Sequence, residues 1–306
     1  MDITPLCNRL IKNHKRLKNY LKLNNIGAYR IYDRDIPEFP LIIELFSDNK
    51  SNKNFAVIWP IWEEIDSSLK KEIVENELPI FLKNNFKVQE FWIKHRKIQR
   101  TCDHEQYQKR GNDSFTLDVA EGPLLFKLNL SDYLDVGLFL DHRPLRMGLF
   151  NHSPKKVLNL FSYTCSLGVA YAKKGAQVTN VDLSNRYLEW GKDNFALNKL
   201  KGKHHFVSED IRQFLKTNRE NFDLIIIDAP TFSNSKDLAD FNVKYDHTEL
   251  IAEADKKLSI SGQIIFSCNL RGLRPQCHQE FKDFSQKSTP PDFTHKPHVL
   301  YINSLI

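Results

Sequence analysis

VLNLFSYTCSLGVAYAKKGAQVTNVD, Val157 to Asp182, decides the fold. A short apolar run ends in a hydroxyl-rich loop. A stretch of small and apolar residues follows, with helical spacing, and a second short run, QVTNVD, ends in an acid. That is strand, helix, strand. Downstream, HHFVSED (204–210), FDLIIID (222–228) and QIIFSC (263–268) read as three more strands separated by helical patterns. Strands alternating with helices at this spacing predict an α/β fold with a doubly wound, mostly parallel sheet.

Residues upstream of about 130 read differently. Thr4 to Asn24 has the period of an amphipathic helix, with Leu6, Leu10, Leu17 and Leu21 near one face and lysines opposite. AYRIYDRDIPEFPLIIELF (28–46) reads as strand, turn, strand. Asp66 to Asn84 reads as a helix interrupted near Pro79, FKVQEFWIKHR (86–96) as a strand, and FTLDVAEGPLLFKLNL (115–130) as a hairpin turning at Glu121-Gly122-Pro123. The expected division is a smaller α+β region over 1–128, suited to substrate recognition, and a second domain over 129–306.

In doubly wound sheets, ligands bind at the carboxyl ends of strands, near the reversal of strand order. The first strand ends in NLFSYTCSLG (159–168), which has no G-x-G-x-x-G; it is either a plain turn or a loop whose backbone N–H groups meet a ligand carboxylate. The second ends in Asp182, which suits ribose hydroxyls or the start of the helix after Leu183. Asp210 suits an adenine amino group or the cap of the helix beginning at Ile211. The fourth strand ends in Asp228-Ala229-Pro230-Thr231-Phe232. Pro230 stiffens that turn and restricts Ala229, so an acid and an aromatic face stand together where a planar base is to be held.

The chain has 306 residues, 41% hydrophobic and 27% charged, which is ordinary globular composition. No apolar run approaches the roughly 20 residues of a membrane span, and the N-terminus lacks a secretory h-region. The five cysteines (Cys7, Cys102, Cys165, Cys268, Cys277) are scattered without C-x-x-C spacing, which argues against a disulfide framework or a zinc site and suits a cytoplasmic protein. The eleven histidines form no H-E-x-x-H, so no metal is expected, and His204, His205, His295 and His298 read as solvent-facing or structural. No G-x-S-x-G elbow points to a hydrolase. Net charge is +6 with a pI near 8.9. Two basic runs, Lys12–Lys22 and KHRKIQR (Lys94–Arg100), permit a nucleic-acid partner. Lys94, Arg96 and Lys97 are expected to guide its phosphate backbone.

The set NLFSYTCS, VDLSNRYLEWGKDN, IDAPTFSNSK and FSCNLRG resembles class I S-adenosylmethionine-dependent methyltransferases. More narrowly, DYLDVGLFLDHRPLR (132–146), YLEW (187–190) and TFSNSK (231–236) are similar to the C-terminal half of bifunctional bacterial 23S rRNA guanine methyltransferases. NRLIKNHKRL, RIYDRDIPEF and QKSTPPDF (286–293) extend the resemblance over nearly the whole chain. It implies a Rossmann-like domain with a seven-stranded sheet, S-adenosyl-L-methionine as cofactor, and an rRNA substrate, naked or in an assembling large subunit, methylated at guanine N7. The implied cofactor set is Asn159, Phe161, Ser162, Tyr163, Thr164, Asp182, Leu183, Asp210, Ile211 and Asp228. Asp228, Pro230 and Phe232 would be catalytic, with Arg143 and Asn234 also meeting substrate. Arg143 otherwise pairs with Asp141.

Two positions depart from the relatives' pattern. Ala229 stands where proline is usual, and Cys165 replaces a frequent glycine and is expected to crowd the cofactor loop. Cys268 sits where related cytosine-C5 methyltransferases carry a nucleophilic thiolate. A cytosine-C5 enzyme, or a non-catalytic RNA-binding or assembly factor on the same fold, therefore stay as alternatives.

Overall fold

The computed structural model describes residues 2–61, 71–94, 114–150, 153–233, 240–276 and 280–303. It divides into two compact units, 1–140 with 291–295, and 141–290 with 296–306.

In the first unit, helix α1 (Thr4–Leu23) buries Leu6, Leu10, Asn13, Leu17 and Leu21 along one stripe. Pro5 lies in its first turn, where no N–H is needed. Strands β1 (Ala28–Asp33), β2 (Leu41–Ser47) and β3 (Asn54–Pro60) pair antiparallel. A π turn (Ile73–Glu77) leads into α2 (Leu78–Phe86), which carries Pro79. The wide turn falls where Pro79 withholds a donor, so the expected interruption is real, though 66–70 lie outside the described residues. Strand β4 (Val88–Ile93) then pairs parallel with β3. β5 (Thr116–Glu121) and β6 (Leu124–Asn129) form the expected hairpin, with Gly122 at φ 58°. β3 was absent from the sequence reading, because six of its seven residues are buried and it shows no alternation.

The second unit opens with a short helix α3 (Arg143–Arg146), then runs β7 (Lys156–Leu160), α4 (Ser166–Lys173), β8 (Gln177–Asp182), α5 (Asn185–Leu197), β9 (His205–Ser208), α6 (Ile211–Thr217) and β10 (Phe222–Ala229). The small pair β11 (Phe232–Ser233) and β12 (Phe241–Asn242) precedes α7 (Val243–Asp255), β13 (Leu258–Cys268), β14 (Phe281–Asp283) and β15 (Val299–Asn303). The seven-stranded sheet has the order β14-β15-β13-β10-β7-β8-β9. β15 is antiparallel to both its neighbours, and the five strands from β13 to the β9 edge are parallel. The order reverses between β7 and β10. A crevice therefore opens at their carboxyl ends, beside the loop after Leu160 and the turn after Asp228.

Candidate functional site

The loop joining β7 to α4 is strained in a regular way. Phe161, Tyr163 and Cys165 all have positive φ, at 54°, 48° and 59°. For side-chain-bearing residues each costs about 1–2 kcal/mol, and such strain persists only where surrounding contacts over-determine it. They do so here. Tyr163 N–H donates to Asp182 Oδ2 at 2.8 Å, Ser162 N–H to Val181 O at 3.1 Å, and Cys165 N–H to Ser162 O at 2.7 Å. Asn194 of α5 donates its side-chain amide to Thr164 O at 3.0 Å. The Cys165 side chain is wholly buried. Its thiol faces Gly191 of α5, where a Cβ would stand only 2.3 Å from Sγ. The expected crowding is thus absorbed by the helix behind the loop.

Asp182 ends β8. Its Oδ1 accepts from Ser184 N–H at 2.9 Å, while Ser184 itself caps α5 by accepting from Tyr187 N–H. Asp182 is therefore not the helix cap but the post that ties β8 to the strained loop. Burial pushes its carboxyl up, against the two backbone donors that lower it. Leu183 beside it is 43% exposed and offers an apolar face. Asn159 is buried and donates to Asn180 Oδ1 at 3.0 Å. Asp210 is the cap of α6, accepting from Arg212 and Gln213 N–H at 2.9 and 3.2 Å and pairing with the Arg212 guanidinium at 3.1 Å. Burial raises its carboxyl, but these partners together hold it below the ordinary range. An adenine amino group would have to share that carboxylate. Ile211 packs into the core.

Asp228, the penultimate residue of β10, accepts from His142 Nε2 at 3.1 Å. His142 is buried, its ring stacked on His298 with centroids 4.5 Å apart and planes 16° from parallel. His298 reaches Asp141 Oδ2 through Nδ1 at 3.0 Å and Ser288 Oγ through Nε2 at 2.9 Å. Donor atoms of Asp141, His142 and His298 lie within 4.8 Å of one another. Near-parallel imidazoles do not aim their lone pairs at one point, so the arrangement works as paired carboxylate–imidazole contacts. Burial disfavours the His142 imidazolium, yet the Asp228 and Asp141 charges outweigh it and raise its pKa. Sequence reasoning missed His142 and treated His298 as peripheral. The DHR triplet was the available signal, but Arg143 drew the attention. Beyond Asp228, Ala229 is buried, Pro230 half-buried, and Phe232 42% exposed.

Two substrate assignments are corrected. Lys94 is buried at the end of β4 and its ammonium donates to the Tyr133 carbonyl, so it presents no cation to solvent. Arg143 is wholly buried and offers no surface to an RNA phosphate. Arg96, Lys97 and Asn234 lie outside the described residues. Cys268, 1% exposed, pairs in register with Ala229, and burial, aided by the Asp228 charge, pushes its thiol up to about 11.

A parallel sheet of this order, with an acid ending its second strand and a strained loop after its first, defines a Rossmann-like class I methyltransferase. The fold recurs in the crystal structure of the methyltransferase SMU.776 complexed with SAH, with a TM-score of 0.76 at 24% identity over 99% of this chain and 82% of that one. A family model described as S-adenosylmethionine-dependent methyltransferase matches residues 88–280, and the chain belongs to that family. It is 39% identical to ribosomal RNA large subunit methyltransferase K of Neisseria meningitidis serogroup B, over 96% of this chain and 85% of that protein. It is 42% identical to ribosomal RNA large subunit methyltransferase K/L of Colwellia psychrerythraea, over 89% of this chain. The match covers only 38% of that longer relative. The residues present fit S-adenosylmethionine: a strand-end carboxylate, Asp182, stands beside the exposed Leu183 and is tied to the loop that follows β7.

Proposed function

We propose that the chain methylates large-subunit (23S) rRNA at guanine N7, in the cytoplasm, using S-adenosylmethionine. The observation that carries this reading is the pairing of a fixed acceptor with a free aromatic face at the end of β10: Asp228 held by His142 at 3.1 Å, and Phe232 42% exposed four residues on. The names of the relatives support the rRNA substrate.

The cofactor supplies an electrophilic methyl group on a sulfonium. Guanine N7 has a free lone pair and needs no general base. The protein's work is then positioning and exclusion of water. Asp182 and the 161–165 loop hold the cofactor. Phe232 stacks on the base, an interaction of about 1–3 kcal/mol. Asp228 accepts from the guanine N1–H and amino edge. As N7 takes the methyl, positive charge spreads over the purine and N1–H becomes a stronger donor. A carboxylate at that edge thus binds the transition state more tightly than the ground state. His142, donating through Nε2, keeps the carboxylate aimed.

Cytosine C5 requires a thiolate nucleophile. The buried Cys268 thiol, with a pKa near 11, is the wrong species near neutral pH, which favours guanine. The test is methyl transfer from labelled S-adenosylmethionine to unmodified large-subunit rRNA, with the labelled nucleoside identified by mass. Label in 7-methylguanine, kept in Cys268→Ala, is the expected result. Label in 5-methylcytosine, lost in that variant, would overturn it.

A further inference from the structure

We infer that the outward face of α1 is a phosphate-binding surface for RNA, separate from the methyl-transfer site. The inference rests on the rRNA reading above. α1 carries Arg9, Lys12, Lys15, Arg16, Lys18 and Lys22 and no carboxylate. The chain holds 44 basic residues; setting these six aside leaves 38, equal to its 38 acidic ones. One helix therefore accounts for the whole formal net charge of +6.

The geometry concentrates that charge further. At about 100° per residue, Lys12, Lys15, Lys18 and Lys22 fall in a wedge of about 120°, opposite the buried leucines. All four are exposed, as are Asn8 and Asn19, which lie along the same stripe. From Lys12 to Lys22 the row runs about 15 Å. Among the described residues, none of the four lysines has an ion-pair partner. Exposed Arg16 donates to the Pro291 carbonyl at 2.9 Å and extends the face to one side.

Lysines at i, i+3 and i, i+4 repel one another and weaken a helix. An ordinary solvated face intersperses acids to relieve this, and α1 has none. A row of phosphates would supply the missing counter-charge. A lipid surface fits poorly, because a membrane-lying helix needs its apolar face free, and that of α1 is buried in the core of its own unit.

The experiment uses the full chain and an unmodified large-subunit rRNA transcript. Binding is measured as a function of salt for the wild type and for Lys12→Gln/Lys15→Gln/Lys18→Gln/Lys22→Gln. Glutamine keeps helix propensity close to that of lysine, and circular dichroism with S-adenosylmethionine binding verifies the fold. A control, Lys173→Gln/Lys199→Gln/Lys201→Gln/Lys203→Gln, removes the same charge from exposed lysines of the second unit. Each lost phosphate contact flattens the slope of log affinity against log salt by about 0.7–0.9. The α1 variant, with four contacts removed, should therefore lose about 3–4 from that slope and bind about 10- to 100-fold more weakly at low salt, while the control changes little. Equal loss in both variants would reduce the effect to net charge and overturn the inference. Unchanged binding in the α1 variant would do the same, leaving the face to an acidic protein partner. A wild type that binds S-adenosylmethionine but no rRNA would overturn the rRNA reading itself, and this inference with it.

Discussion

Replacing Gly191 by alanine tests how the cofactor loop is held. The added methyl would stand 2.3 Å from Cys165 Sγ and 2.9 Å from its Cβ, against contacts of about 3.5–4.0 Å between unbonded atoms. Both sites are buried, so neither group can swing into solvent. Alanine gains about 1 kcal/mol of helix propensity over glycine, and overpacking of this severity costs about 3 kcal/mol. Gly191→Ala should therefore destabilise by about 2 kcal/mol. Cys165→Gly relieves about 1 kcal/mol of strain at φ 59° and gives up a similar amount of buried surface, so alone it is near neutral. In that background Gly191→Ala meets no sulfur and should stabilise by about 1 kcal/mol. The coupling energy of the cycle is then about 3 kcal/mol. Urea unfolding of the four proteins, followed by fluorescence of Trp190 beside Gly191, measures it. Calorimetry of S-adenosylmethionine binding should show Gly191→Ala weakening the cofactor site and the double variant restoring it. A coupling below about 0.5 kcal/mol would refute the packing of this thiol against α5.

Other perturbations probe the rest of the site. Cys268→Ala should leave kcat within about threefold of wild type; with its pKa near 11, about one thiol in a thousand is ionised at pH 8, so native Cys268 should also react slowly with iodoacetamide. His142→Gln should lower kcat about 10- to 100-fold with KM for S-adenosylmethionine little changed; a selective rise in that KM would move His142 to the cofactor. His142 also has a pH signature, set by burial, which opposes its charged form, by Asp228 and Asp141, which favour it, and by Arg146, which opposes it; the ring of His298 is stacked on it. Its folded pKa is raised, so its stabilising contribution is complete below its ordinary value near 6.5 and is lost as pH rises through the folded value. The stability difference between wild type and His142→Gln should shrink from pH 6 to pH 9, and a constant difference would contradict the pairing. Asp210→Ala should cost about 1 kcal/mol as a lost cap, and melting temperature compared with cofactor affinity separates that role from adenine binding.

The central sheet was legible because its middle strands are buried and read as short, largely apolar stretches ending in polar residues. Leu224 to Asp228 is the clearest case. β14 and β15 were not read, since they are short and flank an irregular stretch containing QKSTPPDF. Strand-end acids could be placed on the site but not given roles, because a cap and a ligand contact demand the same residue at the same place. Asp210 became a cap and Asp182 did not, and the difference lay in Ser184 and Arg212 rather than in either aspartate. The His142–His298 stack was beyond reach, since its members are far apart in sequence and nothing in the Asp141-His142-Arg143 triplet names the partner of His142. Lys94 misled because a basic run in one dimension does not tell which lysine the end of a strand turns inward.

The short segment 291–295 belongs to the first unit, while the residues on either side of it belong to the second. It is fastened there by Arg30 N–H to Asp292 Oδ2 at 2.9 Å, by the Arg30 guanidinium 4.0 Å above the Phe293 ring, and by Thr294 N–H to Asp33 Oδ2 at 3.0 Å. Neither unit can therefore be excised as one continuous stretch. A fragment ending at Leu140 would strip Arg30 and Asp33 of these partners, and one starting at Asp141 would carry five residues whose cradle had been left behind. Expressing either half cleanly calls for a grafted linker across Pro290 and Lys296, or for residues 291–295 supplied as a peptide.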